Sequence, residues 1–330
     1  MNKECPEQIQ EEINYESFKA VENFRKNSGL SKIIFLGGAL VNNNLRKSKS
    51  VDDYDMMLIG EDNRKQFNGV EEKLKEHEYK KVGGHGETTT NLAMRQFVDK
   101  EGRKFELCLK KDTCGLNSFG TFDIDNLSAT IYENGAIELN QKEVINSLKK
   151  RSIKLRENTK DLFRIIGRML VHIAKYDIKE FTSLEKNHFR LSEDTKENDK
   201  FINEFIEHSD QSKAECLAKF FVMLSRVDNI SNYVQKITKY KLLDNYFPEV
   251  CKVLNDNNFK IFLAKESAEP DNKRELNTDL DVFNKMYLYS GNKKEFLNEC
   301  RILEEARSTK QSKILSEIKK KEFCIGCSIL

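Results

Sequence analysis

Asp53 and Asp55 stand two apart in the segment FLGGALVNNNLRKSKSVDDYDMMLIG, which runs from Phe35 to Gly60. Side chains at i and i+2 of a strand project from the same face, so the two carboxylates emerge together while Tyr54 turns into the core. Two carboxylates on one face suit a pair of Mg²⁺ (or Mn²⁺) ions, which bridge the phosphates of a nucleoside triphosphate and neutralise charge at the attacking and leaving oxygens. Gly37 and Gly38 lack side chains, so a triphosphate can approach the backbone N–H groups at the start of the helix expected after them. Lys49 and Ser50, just before the strand, are further candidates for phosphate contact. A third acid is normally wanted to hold the catalytic metal. Glu106 in Lys104-Phe105-Glu106-Leu107-Cys108 is the candidate, being an acid flanked by apolar residues where an unpaired charge is costly. Asp123 is the alternative.

The elements that must position these groups follow from the pattern. Residues 6–28 carry apolar side chains at helical spacing (Ile9, Ile13, Phe18, Val21, Phe24) and end at Asn27-Ser28-Gly29, which predicts a packing helix. Lys32 to Leu36 reads as a buried strand closed by the glycine pair, and Tyr54 to Ile59 as a second strand. A charged helix is expected over 61–79, then strands at Leu92–Val98 and Lys104–Leu109 joined by a turn at Lys100-Glu101-Gly102. Gly83 to Glu87, including His85, reads as a mobile loop over the cleft. From about 141 the pattern is helical. Leu162, Ile165, Ile166, Met169, Leu170 and Ile173 define one amphipathic helix, residues 189–200 read as a polar linker, and helices are expected near 200–208, 211–239 and 293–322.

Composition bounds the class. A chain of 330 residues exceeds the usual single domain, and 38% hydrophobic with 33% charged residues, no tryptophan and three prolines describes a Lys-rich, helix-heavy globular protein. A net charge of +2 argues against a surface blanketed for nucleic acid, although residues 141–170 hold nine Lys/Arg against three acids. That local patch suits a triphosphate or an RNA backbone, or is a solvated helical face. No stretch approaches the ~18 apolar residues of a membrane span, and the start lacks a secretory core, so a cytoplasmic location is expected. The eight cysteines are expected to be reduced.

The order Gly-Gly, Asp-x-Asp and later strand acid resembles the DNA polymerase beta superfamily of nucleotidyltransferases, in particular the branch of tRNA CCA-adding enzymes and bacterial poly(A) polymerases. Thr121-Phe122-Asp123-Ile124-Asp125-Asn126-Leu127-Ser128 resembles that branch's Arg-Arg-Asp-Phe-Thr-Ile-Asn-Ala segment, and Lys160-Asp161-Leu162-Phe163-Arg164 resembles its Glu-Asp-x-x-Arg helix. The resemblance covers about residues 30–180. It implies an α+β fold, a small mixed-sheet nucleotidyltransferase head followed by an all-helical region. The domains would be an N-terminal helix over 1–29, a head over 30–140, a helical neck over 141–188, a helical C-terminal domain over 189–322 and a tail over 323–330. It implies transfer of a nucleoside monophosphate from a nucleoside triphosphate to the 3′ end of a tRNA-like RNA. Asp161 and Arg164 would then read the base, with Arg168 beside them; a plain ion pair is the other reading. Leu40-Val41-Asn42 replaces Val-Arg-Asp, the paired arginines are missing, and Thr121 and Lys160 stand where the family has acids. These departures imply a diverged enzyme with another acceptor, such as a protein or small molecule, or a binding module without chemistry.

The sequence closes on Cys324-Ile325-Gly326-Cys327-Ser328-Ile329-Leu330. Cys327 fits a Cys-a-a-X prenylation pattern, Cys324 is available for palmitoylation, and Lys319 to Lys321 precede them. The expectation is membrane anchoring by a eukaryotic prenyltransferase, in a eukaryotic protein or a bacterial effector working in a host cell.

Overall fold

Helix α1 (Tyr15–Ser28) starts where the Asn14 side chain accepts from the Ser17 N–H and stops at Gly29, whose φ of 65° is left-handed. Its inner face carries Phe18, Val21 and Phe24, together with a buried ion pair in which Arg25 Nε lies 2.7 Å from Glu22 Oε2. These features belong to a computed structural model that describes residues 13–46, 53–86, 91–111, 121–155, 161–183, 209–270, 273–305 and 312–327. The chain divides into two compact units, Met1–Arg156 and Glu157–Leu330.

The first unit is built on a seven-stranded sheet, comprising β1 (Lys32–Leu36), β2 (Tyr54–Ile59), β3 (Lys80–His85), β4 (Asn91–Val98), β5 (Lys104–Lys110), β6 (Ser128–Tyr132) and β7 (Ile137–Asn140). The spatial order is β3-β4-β5-β2-β1-β6-β7. Only the β2 and β5 pair is parallel, so the sheet is mixed. Helix α2 (Arg64–Glu76), charged outside and burying Phe67, Val70 and Leu74, makes the crossover after β2. One face of the sheet is packed with rings. Phe105 stacks on Phe24 of α1 with centroids 5.1 Å apart and on Tyr54 at 4.8 Å. A short strand, β8 (Ser152–Leu155), follows helix α3 (Lys142–Lys149).

Two expectations are corrected within this unit, and one hairpin is added. The glycine pair opens only a 3₁₀ turn, Gly37–Leu40, after which Val41 bridges Ile13. Lys80 to His85 is an edge strand rather than a loop: Gly84 lies flat on β4, where a Cβ would come 2.5 Å from the Met94 carbonyl oxygen. The segment after Asp123 forms β6 and β7, which pair through a tight turn at Gly135 (φ 77°). The turn at residues 99–102 is as expected, with the Gly102 N–H donating to the Asp99 carbonyl at 3.0 Å.

The second unit is predominantly helical among its described residues. Helix α4 (Leu162–Tyr176) is the amphipathic segment of the sequence, followed by strand β9 (Glu180–Ser183). Then come α5 (Asp210–Arg226), α6 (Ile230–Lys239), α7 (Pro248–Asn255), α8 (Asn257–Ala268), α9 (Asp279–Tyr289), α10 (Lys293–Cys300) and α11 (Ser312–Cys327). The single helix expected over 211–239 is two, parted at Val227-Asp228-Asn229, where Asn229 caps α6 by accepting from the Asn232 N–H. Likewise 293–322 is broken by a 3₁₀ turn, Arg301–Glu305. The linker over 189–200 and the helix over 200–208 lie outside the described residues. No described helix is long and apolar enough to cross a membrane.

Candidate active site

Strand register, more than sequence proximity, assembles the site. Leu36 is the Cα partner of Asp55, Asp55 of Glu106, and Glu106 of Gln96; in the other direction Leu36 pairs Ser128, and Ser128 pairs Asn140. Directly paired residues point to the same side of a sheet, so these six side chains form one transverse row. Tyr54 and Phe105 belong to the opposite, ring-packed face. Asp53 and Asp55 are exposed and Tyr54 between them is buried, the alternation a half-covered strand requires.

Gly37 faces that row. A Cβ built on it would lie 3.9 Å from Asp55 Oδ2, and its φ of 73° is a conformation that L side chains rarely adopt. Position 37 is therefore glycine for its backbone, and the missing side chain leaves the Asp55 carboxylate open. Its N–H donates to the Leu127 carbonyl at 2.9 Å. The Gly37 N–H is thus engaged within the unit. Gly38 starts the turn that its carbonyl closes by accepting from the Val41 N–H. Lys49, Ser50 and Glu87 lie outside the described residues.

Glu106 is held by neutral groups. Gln96 Nε2 donates to its Oε2 at 2.9 Å, and the Cys108 thiol lies 3.9 Å from Oε1. Burial pushes the Cys108 thiol up to about 12, with the charge of Glu106 next in size and that of Asp55 also contributing. The thiol therefore stays protonated at neutral pH, and both carboxylates act on one small region. Both of these donors are neutral groups. All-oxygen carboxylate donors on adjacent strands fit a hard divalent cation. Among the described residues, however, no three Asp, Glu, His or Cys side chains are gathered closely enough to hold a metal.

Sequence reasoning missed Gln96, whose signal, its place opposite Glu106 in a hairpin, was readable only after fixing the register. Asp123 serves the loop: its Oδ1 accepts from the Ile124 N–H at 2.8 Å and the Lys154 N–H at 3.0 Å, and burial pushes its carboxyl up to about 6. Thr121 is fully buried, and its N–H donates to Asp125 Oδ2 at 2.8 Å. His85 is exposed, with Nδ1 2.9 Å from the Gly86 carbonyl oxygen.

In the second unit Asp161 caps α4. Its Oδ1 accepts from the Arg164 N–H at 3.1 Å and its Oδ2 from the Ser212 hydroxyl, so the contact between positions 161 and 164 is side chain to backbone. Arg164 is exposed and Arg168 half-buried on the same helix face. The main chain of α11 runs through Cys324 and Cys327, while Ser328 to Leu330 lie outside the described residues.

No family model matches the chain, and no curated protein matches it. Solved structures resemble it at low identity. A CCA-adding enzyme in complex with CTP is 14% identical, with 91% of this chain and 69% of that chain covered and a TM-score of 0.49. The Thermotoga maritima CCA-adding enzyme complexed with tRNA is 14% identical over 92% of this chain and 73% of that chain, at a TM-score of 0.45. An apo form of a CCA-adding enzyme is 11% identical over 95% and 84%, at a TM-score of 0.47.

Proposed function

We propose that the first unit is a divalent-cation-dependent nucleotidyltransferase, moving a nucleoside monophosphate from a nucleoside triphosphate to a hydroxyl of an RNA 3′ end. The observation that carries this reading is the Asp55 carboxylate lying beside Gly37, where an added Cβ would stand 3.9 Å from Oδ2, with Glu106 next to Asp55 in the same row. The resemblance of the Gly-Gly, Asp-x-Asp and downstream segments to tRNA nucleotidyltransferases and poly(A) polymerases supplies the reaction and the acceptor class. In the reaction an acceptor oxygen bonds to the α-phosphorus, the bond from that phosphorus to the bridging oxygen breaks to release pyrophosphate, and the hydroxyl proton passes to solvent. Asp53 and Asp55 would hold Mg²⁺ or Mn²⁺, with Glu106 beside Asp55 on the neighbouring strand as the third acid that substrate binding would have to bring in; the cation would supply charge neutralisation along the polyphosphate. The protein's own contribution is positioning: a strand pair that fixes two acids side by side, a glycine that leaves room before them, and an amide that orients Glu106.

The test is incubation of the full chain with each α-phosphate-labelled nucleoside triphosphate, Mg²⁺ and mixed RNA. Label on RNA, abolished by Asp53→Asn and by Asp55→Asn, is the expected result. Label on protein would move the acceptor to a polypeptide. No transfer from any of the triphosphates by the folded protein, or transfer that survives both substitutions, would overturn the assignment.

A further inference from the structure

Helix α4 is buried around nearly its whole circumference. Of its 15 residues, only Arg164, Arg168, Val171 and Lys175 escape burial. They fall at i, i+4, i+7 and i+11, a single stripe along one side of the helix. An exposed stripe of a soluble helix ordinarily mixes charges of both signs. Here three of the four residues are cations and none is an acid.

A fourth cation comes from helix α5. The Lys219 stem crosses α4 at Gly167, where a Cβ would lie 3.2 Å from Lys219 Cδ and 3.6 Å from its Nζ. Gly167 sits between Arg164 and Arg168 in sequence and shares their side of the helix, so its missing side chain is the notch that admits a third positive group beside two others. The helices are close there, with the Cys216 Cα 3.4 Å from the same notional Cβ. Burial holds the Lys219 ammonium below the ordinary lysine range, with Arg168 and then Arg164 pushing in the same direction. The acid facing it is Glu215, which also accepts from Gln211 Nε2 at 2.9 Å. Asp161, at the head of the helix, is engaged with the Arg164 N–H and Ser212. Arg164, Arg168 and Lys219 thus bring positive charge around one half-buried notch, a disposition that suits phosphate.

We propose that Arg164, Arg168, Lys175 and Lys219 form a binding stripe for successive phosphates of a single-stranded RNA backbone. From Arg164 to Lys175 the stripe rises about 16 Å along the helix, which suits a strand tracked over several nucleotides better than one compact triphosphate. The proposal deepens the RNA-acceptor reading above, yet it is measured without turnover, so the two fail separately. Asp55→Asn should abolish transfer and leave RNA affinity intact.

The experiment is anisotropy of a fluorescein-labelled oligouridylate titrated with the full chain over a salt series, with inorganic tripolyphosphate as competitor. Lys219→Met keeps the apolar stem over Gly167 and removes the charge; Arg168→Gln is the second variant, and Lys219→Arg the rescue. Each charge removal should weaken binding by roughly 5- to 10-fold and lower the salt slope by about 1, while Lys219→Arg restores both. Thermal melts identical to the parent exclude misfolding as the cause. Unchanged affinity and slope in both folded variants would overturn the proposal. Tripolyphosphate binding as tightly as the oligonucleotide, with the same dependence on Lys219, would overturn the backbone assignment in favour of a free triphosphate.

Discussion

The two faces of the seven-stranded sheet are made by the same strands and obey different rules. On one, Phe35, Tyr54, Phe97 and Phe105 interlock beneath Phe24, every one of them less than a tenth exposed. On the other, the row Asn140, Ser128, Leu36, Asp55, Glu106, Gln96 crosses six strands with mostly polar side chains. Rings tolerate exchange as long as volume is kept, whereas a carboxylate row works only in one register, because a slip of one residue would send Asp55 into the rings and Tyr54 into the site. The ring face secures the register that the polar face needs.

Breaking each face separately gives the largest effects. Asp55→Asn should reduce nucleotidyl transfer on the order of 10³-fold or more, with the thermal melt little changed, since Asp55 is exposed and asparagine keeps its shape. Phe105→Ala should do the reverse. It empties a site 1% exposed and in ring contact with Phe24, Tyr54 and Tyr79, at a cost of about 3–5 kcal/mol in denaturant unfolding. Any enzyme that stays folded should retain its chemistry. A large stability loss from Asp55→Asn would mean that the division between the faces is wrong.

The pH dependence of stability sharpens the contrast at the edge of the site. Burial raises the Asp123 carboxyl to about 6 from an ordinary 3.8, so the folded state binds the proton more tightly than the unfolded state. The sign follows: the contribution is fully present below about pH 4 and is lost as pH rises through about 6, a total of up to about 3 kcal/mol. Asp123→Asn keeps an oxygen to accept from Ile124 and Lys154. It should flatten the unfolding free energy between pH 4 and pH 7 and leave the protein more stable at neutral pH.

How much of this was legible beforehand depends on whether the signal is local. β1, β2, β4 and β5 were visible as apolar or alternating runs, and the shared face of Asp53 and Asp55 follows from the period of a strand. β3 was not visible, because Lys80 to His85 has one apolar residue, Val82, and that is 59% exposed. An edge strand paired on one side only needs no hydrophobic pattern. The break between α5 and α6 was hidden by apolar residues that continue on both sides of Asp228. The left-handed φ of Gly37, the partners of Glu106 and the crossing of Lys219 over Gly167 are long-range facts, fixed by register and helix packing.

Smaller effects test whether the polar row is a unit. Gln96 donates to Glu106, so Gln96→Leu, of nearly equal volume, should lower kcat by about 10- to 100-fold with little change in KM, as loss of an orienting partner does. Gly83, the Cα partner of Gln96, extends the row by one strand, and a Cβ on it would lie 2.6 Å from Gln96 Oε1. The clash is with the far end of a flexible side chain, so Gly83→Ala should leave stability nearly unchanged. If Gly83 matters by giving Gln96 room to reach Glu106, alanine there should cut kcat only several-fold, less than Gln96→Leu does. In a protein already carrying Gln96→Leu it should have no further effect on turnover. Additive losses in the double variant would show that Gly83 acts by another route, and the row would then end at Gln96.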